Sequence, residues 1–106
     1  MRFTALASSV LFAVVGLVSA VDNRLLYQFP AGDTLETFSA DFEAACSTWQ
    51  PAIDQGLTYA RTLIEPGDWQ GKNADTQAKI ICSWTDGTNF PPFTVDVAAS
   101  LGATPL

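Results

Sequence analysis

The clearest hydrophobic pattern in the chain lies between positions 33 and 49. Apolar residues recur there at steps of three and four, at Leu35, Phe38, Phe42, Ala45, Cys46 and Trp49. Such steps place side chains on one side of an amphipathic α-helix. Asp33 followed by Glu36 has the spacing of a capping box, which marks a helix start. Pro51 predicts that this helix ends or kinks near Trp49, because proline cannot continue the hydrogen-bond ladder.

Two central segments are less clear in their pattern. Residues 52–64 carry an apolar helical face that is diluted by Gly, Thr and Tyr, which suit a strand, and we expect a helix. Residues 73–86 predict another helix, which Gly87 is placed to stop. The central stretch of this segment, KIICSW, also has the composition of a strand. Between these segments, EPGDWQGKN, residues 65–73, is predicted to be a loop by its proline, glycines and asparagine.

The two ends of the remaining chain predict short elements. RLLYQF, residues 24–29, suits a strand or an extended arm. TVDVAASLG, residues 94–102, predicts a last helix with Thr94 as its cap and Gly102 at its end. The predicted fold class is therefore mostly α, a small bundle of three or four short helices with one disulfide. The alternative is an α+β fold in which RLLYQF and KIICSW pair as a short two-stranded element.

The first twenty residues, MRFTALASSVLFAVVGLVSA, have the layout of a secretory signal peptide. Arg2 precedes an apolar run that ends at small residues, and Asp22 follows it without a basic cluster. A membrane anchor is the alternative, but the run is near the lower length limit for spanning a bilayer. We therefore expect a signal peptide at 1–20 and a single small secreted, extracellular domain at 21–106.

The charge of the predicted mature chain limits its partners. Four basic residues stand against eleven acidic ones, which gives a net charge of −7. Because phosphate backbones and anionic lipid headgroups repel such a chain, we expect no nucleic-acid partner and no membrane partner after signal cleavage.

The chain has two cysteines, Cys46 and Cys82, and no histidine. Without histidine or a CxxC pair, a zinc, copper or haem site has almost no ligands, and a cysteine nucleophile lacks its usual base. We expect no metal and no cofactor. An even cysteine count in a secreted chain predicts a Cys46–Cys82 disulfide. Whether that bridge forms within one chain or between two is left open.

Trp69 is the strongest candidate for a ligand contact, because it lies in a predicted loop outside any helical stripe. Tryptophan is enriched at binding hot spots, and loop aromatics can stack on a ligand. Gln70, Lys72, Asn73 and Asp68 would supply hydrogen bonds beside it. The alternative is that the loop folds back and the Trp69 ring plugs one end of the core.

The other large aromatics are expected to be structural. Phe90 and Phe93, on either side of two prolines, are predicted to pack, and Trp49 and Trp84 are assigned to the core around the sulfur atoms.

Candidate catalytic groups are limited to carboxylates. Asp41 with Glu43, or Glu65 with Asp68, could serve a minimal glycosidase-like hydrolase if their separation were right. Such an enzyme also needs a substrate cleft, which 86 residues form with difficulty. We therefore expect a protein that is not an enzyme.

The signal-like MRFTALASSVLFAVVGLVSA, the short acidic mature chain and the lone pair of cysteines resemble the small secreted proteins of filamentous fungi. The resemblance covers the plan of the chain, and the eight-cysteine spacing of hydrophobins is absent. It implies a protein released to act outside the cell, on a host or on a wall. The leading hypothesis is a non-enzymatic interaction module whose partner is an extracellular protein or polysaccharide. A small apolar-ligand carrier and the carboxylate hydrolase are the alternatives.

Overall fold

A computed structural model describes residues 23–106 of the chain, so the predicted signal peptide lies outside the described residues. Helices and strands follow one another as β1 (Leu25–Gln28), α1 (Leu35–Ser47), α2 (Gln50–Asp54), β2 (Thr58–Pro66), β3 (Gln77–Thr85), α3 (Thr94–Ser100) and β4 (Thr104–Pro105).

The four strands form one antiparallel sheet in the order β2-β3-β1-β4. The hairpin of β2 and β3 is its largest part, with Ile64 opposite Ile80 and an irregularity between Tyr59 and Arg61. On its other side β3 pairs with β1, which places Leu25 opposite Ile80. The short β4 completes the sheet beside β1.

The prediction of a mostly helical bundle is wrong, and the fold is α+β. Much of the predicted third helix is β3, in which residues 78–80 and 82–84 are consecutively buried. A strand that is covered on both faces loses its two-residue alternation, so its sequence resembles that of a buried helix. The alternative pairing of RLLYQF with KIICSW is what the structure contains, within a larger sheet.

The helix expected over 52–64 is also wrong beyond its first turn. The helical part is α2, which ends at Asp54, and Gly56 then adopts a φ of +77°. That left-handed conformation reverses the chain into β2. The β-favouring Thr58, Tyr59 and Thr62 decide the state of the segment because they pair with β3.

The first predicted helix is confirmed as α1, and Pro51 separates it from α2. Its capping box uses Thr34 and Thr37 instead of Asp33 and Glu36. The last predicted helix is also present as α3, but Thr94 is not its cap. The Thr94 hydroxyl accepts a hydrogen bond from the Cys82 backbone N–H, 2.9 Å away, and so attaches α3 to β3.

The core lies between the sheet and the helices. Phe38 stacks between Phe29 and Phe42, with ring centroids 4.9 and 5.7 Å apart. The predicted Cys46–Cys82 disulfide is confirmed within one chain and joins α1 to β3. Beside it the buried Trp84 indole donates to the Cys46 carbonyl at 2.9 Å.

The prediction that Trp84 is a core residue is therefore correct. Trp49 is partly buried against the same cluster.

Candidate functional site: the helix-free face of the sheet

The sheet has one face that carries the helices and one that does not. The Cys82 side chain is bonded to α1, and α3 packs against α1, so both helices lie on the Cys82 side of the sheet. Side chains alternate along strands, so the residues between those of the core point to the opposite side. We call that side the helix-free face. It comprises Arg24, Leu26, Arg61, Leu63, Glu65, Gln77, Lys79, Ile81 and Ser83, with the register of the strand pairs setting their positions.

The loop between β2 and β3, residues 67–76, is held in shape by the Asp68 carboxylate. Its Oδ1 accepts hydrogen bonds from the backbone N–H groups of Gln70 and Lys72, both at 2.9 Å, and its Oδ2 accepts one from the Asn73 amide. These donors favour the charged form and hold the pKa of Asp68 below its usual value, with the Lys72 N–H as the largest cause. The loop is therefore organised before any ligand arrives.

The base of the loop is fixed by Lys79, which is only 6% exposed. Its ammonium donates to the carbonyl oxygens of Gly67 and Asp68 at 2.8 and 2.7 Å. A buried ammonium is costly unless hydrogen bonds satisfy it, and the loop carbonyls do so here. Lys79 thus ties the loop to the first part of β3.

Trp69 stands on this fixed loop and is 54% exposed. The Arg24 guanidinium carbon lies 5.2 Å from the ring centroid, and the Lys79 ammonium lies 5.8 Å from it. Both distances are in the range of cation–π attraction. Arg24 also forms an ion pair with Glu65. The indole is therefore held over the sheet while half of its surface stays open.

Beside Trp69 lies a groove of about 390 Å³, lined by Leu26, Asp68, Trp69, Gln70, Asn73, Gln77 and Leu106. Its lining combines one large aromatic, two leucines and three neutral side-chain amides. Asp68 is the charged side chain in this lining, and its carboxylate is already used by donors of its own loop. The groove thus offers an apolar surface with neutral hydrogen-bonding groups.

A second hollow of about 500 Å³ lies towards the other end of β3, lined by Asn23, Ala60, Arg61, Ile81, Ser83, Phe90 and Pro92. Phe90 is 64% exposed, so the prediction that it packs is wrong. Its segment pairs with β3 through a bridge between Ser83 and Pro92. Phe93, on the other side of the two prolines, is instead partly buried against the core.

The turn before Phe90 is organised in the same way as the turn that carries Trp69. The Asp86 Oδ1 accepts backbone N–H groups from Thr88 and Asn89 at 2.8 and 2.7 Å. The Asn89 N–H is the largest cause that lowers the pKa of Asp86. Two exposed aromatics on one face are therefore each presented by a turn that an aspartate organises.

The structure brings together most of the predicted contact residues. Trp69, Gln70 and Asn73 line one groove with Asp68, while Lys72 does not line it and contributes its backbone to the loop. The groove is also lined by Leu26, Gln77 and Leu106, which were not predicted and which come from three different strands or strand ends. Only the strand pairing places them beside the loop, so the local sequence held no signal for them.

The carboxylates that could serve a hydrolase are either engaged in other interactions or do not face each other. Glu65 is paired with Arg24, and Asp68 accepts three hydrogen bonds. A general acid needs a raised pKa, and the pKa of Asp68 is lowered. Asp41 and Glu43 lie two positions apart on α1, a spacing at which helical side chains do not face each other.

No cluster of acidic residues and cysteines within residues 23–106 is arranged to hold a metal ion. None of the helices in that range combines the length and apolar character needed to cross a membrane.

Comparison with known proteins gave no relative. No protein family matched the chain, and neither a curated protein nor a solved structure showed significant similarity to it.

Proposed function

We propose that the protein is a secreted, non-enzymatic interaction module that binds an extracellular polysaccharide through the Trp69 groove. The observation that carries this proposal is the 54% exposure of Trp69 on a loop fixed by hydrogen bonds. An exposed indole on a mobile loop would lose conformational freedom on binding, whereas this one is already in place.

The chemistry of the groove favours sugars over other ligand classes. Pyranose rings present apolar C–H faces, which pack on an indole, and hydroxyl groups, which pair with neutral amides. Gln70, Asn73 and Gln77 supply such amides around Trp69. The acidic character of the chain disfavours polyanions, since like charges repel.

Two observations support the proposal that the protein acts outside the cell. The first twenty residues have the pattern of a secretory signal peptide. The disulfide suits an oxidising compartment, where such bridges persist. The resemblance to small secreted proteins of filamentous fungi agrees with this location and makes a cell wall the natural place to look for the polysaccharide.

The test is retention of purified residues 21–106 on insoluble chitin, β-glucan and cellulose. We expect the wild type to be retained by at least one polymer. Trp69→Ala should weaken retention about tenfold or more, the loss typical of a hot-spot aromatic. Trp69→Phe should keep part of the binding, because it keeps an aromatic ring.

The matched control is Ile53→Ala. Ile53 is also an exposed apolar residue, but it lies on α2 in the helical layer. The Ile53→Ala variant should therefore be retained as well as the wild type. Absence of wild-type retention on all three polymers would refute the proposal and direct the search to protein partners. Equal retention of the wild type and Trp69→Ala would show that binding uses another surface.

A further inference from the structure

Two exposed aromatic side chains lie on the helix-free face, although one would suffice for a single sugar. Trp69 contacts Lys79, and Phe90 lies in the hollow that Ser83 and Ile81 line. Lys79 and Ser83 belong to the same strand and the same face of β3. The two aromatics therefore mark two positions along one strand.

The separation of these positions follows from strand geometry. Lys79 and Ser83 are four residues apart, which corresponds to about 13 Å at the usual rise of a strand. Ile81 lies between them on the same face and is partly exposed. Leu63 is its partner across the β2–β3 ladder. Ile81 and Leu63 thus place two apolar side chains between the aromatics, next to the Arg24–Glu65 ion pair.

The charges on this face favour an uncharged ligand. Arg24 is paired with Glu65, and the ammonium of Lys79 donates to loop carbonyls. Arg61 lines the second hollow and can donate to hydroxyl oxygens there. A chain of neutral sugars needs no further charge partner, whereas a polyanion would find Arg24 and Lys79 already occupied by Glu65 and by the loop carbonyls.

The backbone turn beside each aromatic is also organised before binding. Asp68 shapes the turn that carries Trp69, and Asp86 shapes the turn that ends beside Phe90. Because the turns are organised by their own hydrogen bonds, a ligand that spans them loses little free energy to ordering the protein.

We propose that the helix-free face is one extended binding surface with an aromatic subsite at each end, and that it holds a linear, uncharged polysaccharide lying along β3 from Trp69 to Phe90. This inference rests on the proposed function. It adds the second subsite, the direction of the chain and the need for a ligand longer than one or two sugars.

The test is a calorimetric titration with soluble oligosaccharides, from the disaccharide to the hexasaccharide, of whichever polymer retains the wild type. We expect affinity to rise with length, by about tenfold once the ligand reaches Phe90, which corresponds to ~1.4 kcal/mol. Phe90→Ala should remove this gain and leave the affinity for the disaccharide unchanged. Trp69→Ala should weaken binding at every length.

Two controls separate a subsite from an effect on folding. Phe90→Tyr keeps the ring and should keep the gain with length. Val95→Ala removes an apolar side chain of similar exposure from α3, on the other layer, and should change nothing. Affinity should also be the same at low and high salt, because no net charge is neutralised.

The outcomes distinguish this inference from the proposed function. If Trp69→Ala abolishes retention while the wild type and Phe90→Ala gain equally with length, the second subsite is refuted and the function stands. Tighter binding of an anionic oligosaccharide than of a neutral one of the same length would refute the uncharged ligand. If the wild type binds none of the polymers, both proposals fail.

Discussion

At the scale of single residues, the proposed binding face depends on two aspartates that need not touch a ligand. Asp68 immediately precedes Trp69, and Asp86 begins the turn that ends at Asn89, just before Phe90. Each carboxylate accepts hydrogen bonds from two backbone N–H groups of its own turn. Aspartate is suited to this position because its short side chain reaches the backbone two residues on.

The lowered pKa of Asp68 makes the loop sensitive to acid. The usual value of this carboxyl is 3.8, and the folded value lies below it. At a pH above this usual pKa, the charged carboxylate therefore stabilises the loop. This stabilisation is lost as the pH falls through the lower pKa of the folded protein. We expect the backbone amides of Gln70 and Lys72 to exchange hydrogen faster, after correction for intrinsic rates, as the pH falls through this range.

Asp68→Asn should show the same fast exchange already at neutral pH, because the charge that holds the two N–H groups is gone. Asp41→Asn is the control, since it removes a carboxylate from the exposed side of α1. Unchanged protection of Gln70 and Lys72 in Asp68→Asn would mean that the carboxylate does not organise the loop.

At the scale of elements, local signals predicted the first helix and the loop, while long-range pairing decided the rest. The stripe of α1 is readable because one face is buried and the other is open. β3 lies in the middle of the sheet under helices on one side and the Trp69 loop on the other, so its two-residue alternation is hidden. Trp69 could be singled out from its loop, whereas Phe90 could not be placed without the Ser83–Pro92 bridge.

The loop itself depends on a close approach between two of its glycines. Gly67 has a φ of +88°, and a Cβ there would lie 3.0 Å from the carbonyl carbon of Gly71. Gly71 has a similar φ of +79°, but nothing lies within 4 Å of its own Cβ position. Gly71→Ala should therefore lower the free energy of unfolding by about 1–2 kcal/mol, which is the cost of placing a residue with a side chain in the left-handed conformation.

Gly67→Ala should lower the free energy of unfolding by about 1–3 kcal/mol more than Gly71→Ala, because the Gly71 backbone must shift to make room for the added methyl group. Urea unfolding of the two variants measures this difference directly. Equal losses would show that the loop relaxes around Gly67 and that the approach of the two glycines is not a constraint.

At the scale of the whole molecule, the two layers have separate tasks. The helical layer and the disulfide stabilise the fold, and the helix-free face carries the exposed aromatics. Cys46 and Cys82 are fully buried on the helical side, away from Trp69 and Phe90. Stability and binding should therefore respond to different substitutions.

Removing the disulfide tests this separation of stability from binding. It links residues 36 positions apart, and closing a loop of that length contributes about 4 kcal/mol in the chain-entropy model. We expect the double variant Cys46→Ala/Cys82→Ala to lower the melting temperature by roughly 15–30 °C, the shift that such a loss causes in a domain of this size.

The hydrogen bond from Trp84 to the Cys46 carbonyl still joins α1 to β3 in this variant. The folded fraction at low temperature should therefore keep the oligosaccharide affinity of the wild type, because β3 and both presenting turns remain in place. A large loss of affinity in protein shown by circular dichroism to be folded would mean that the helical layer also positions the binding face.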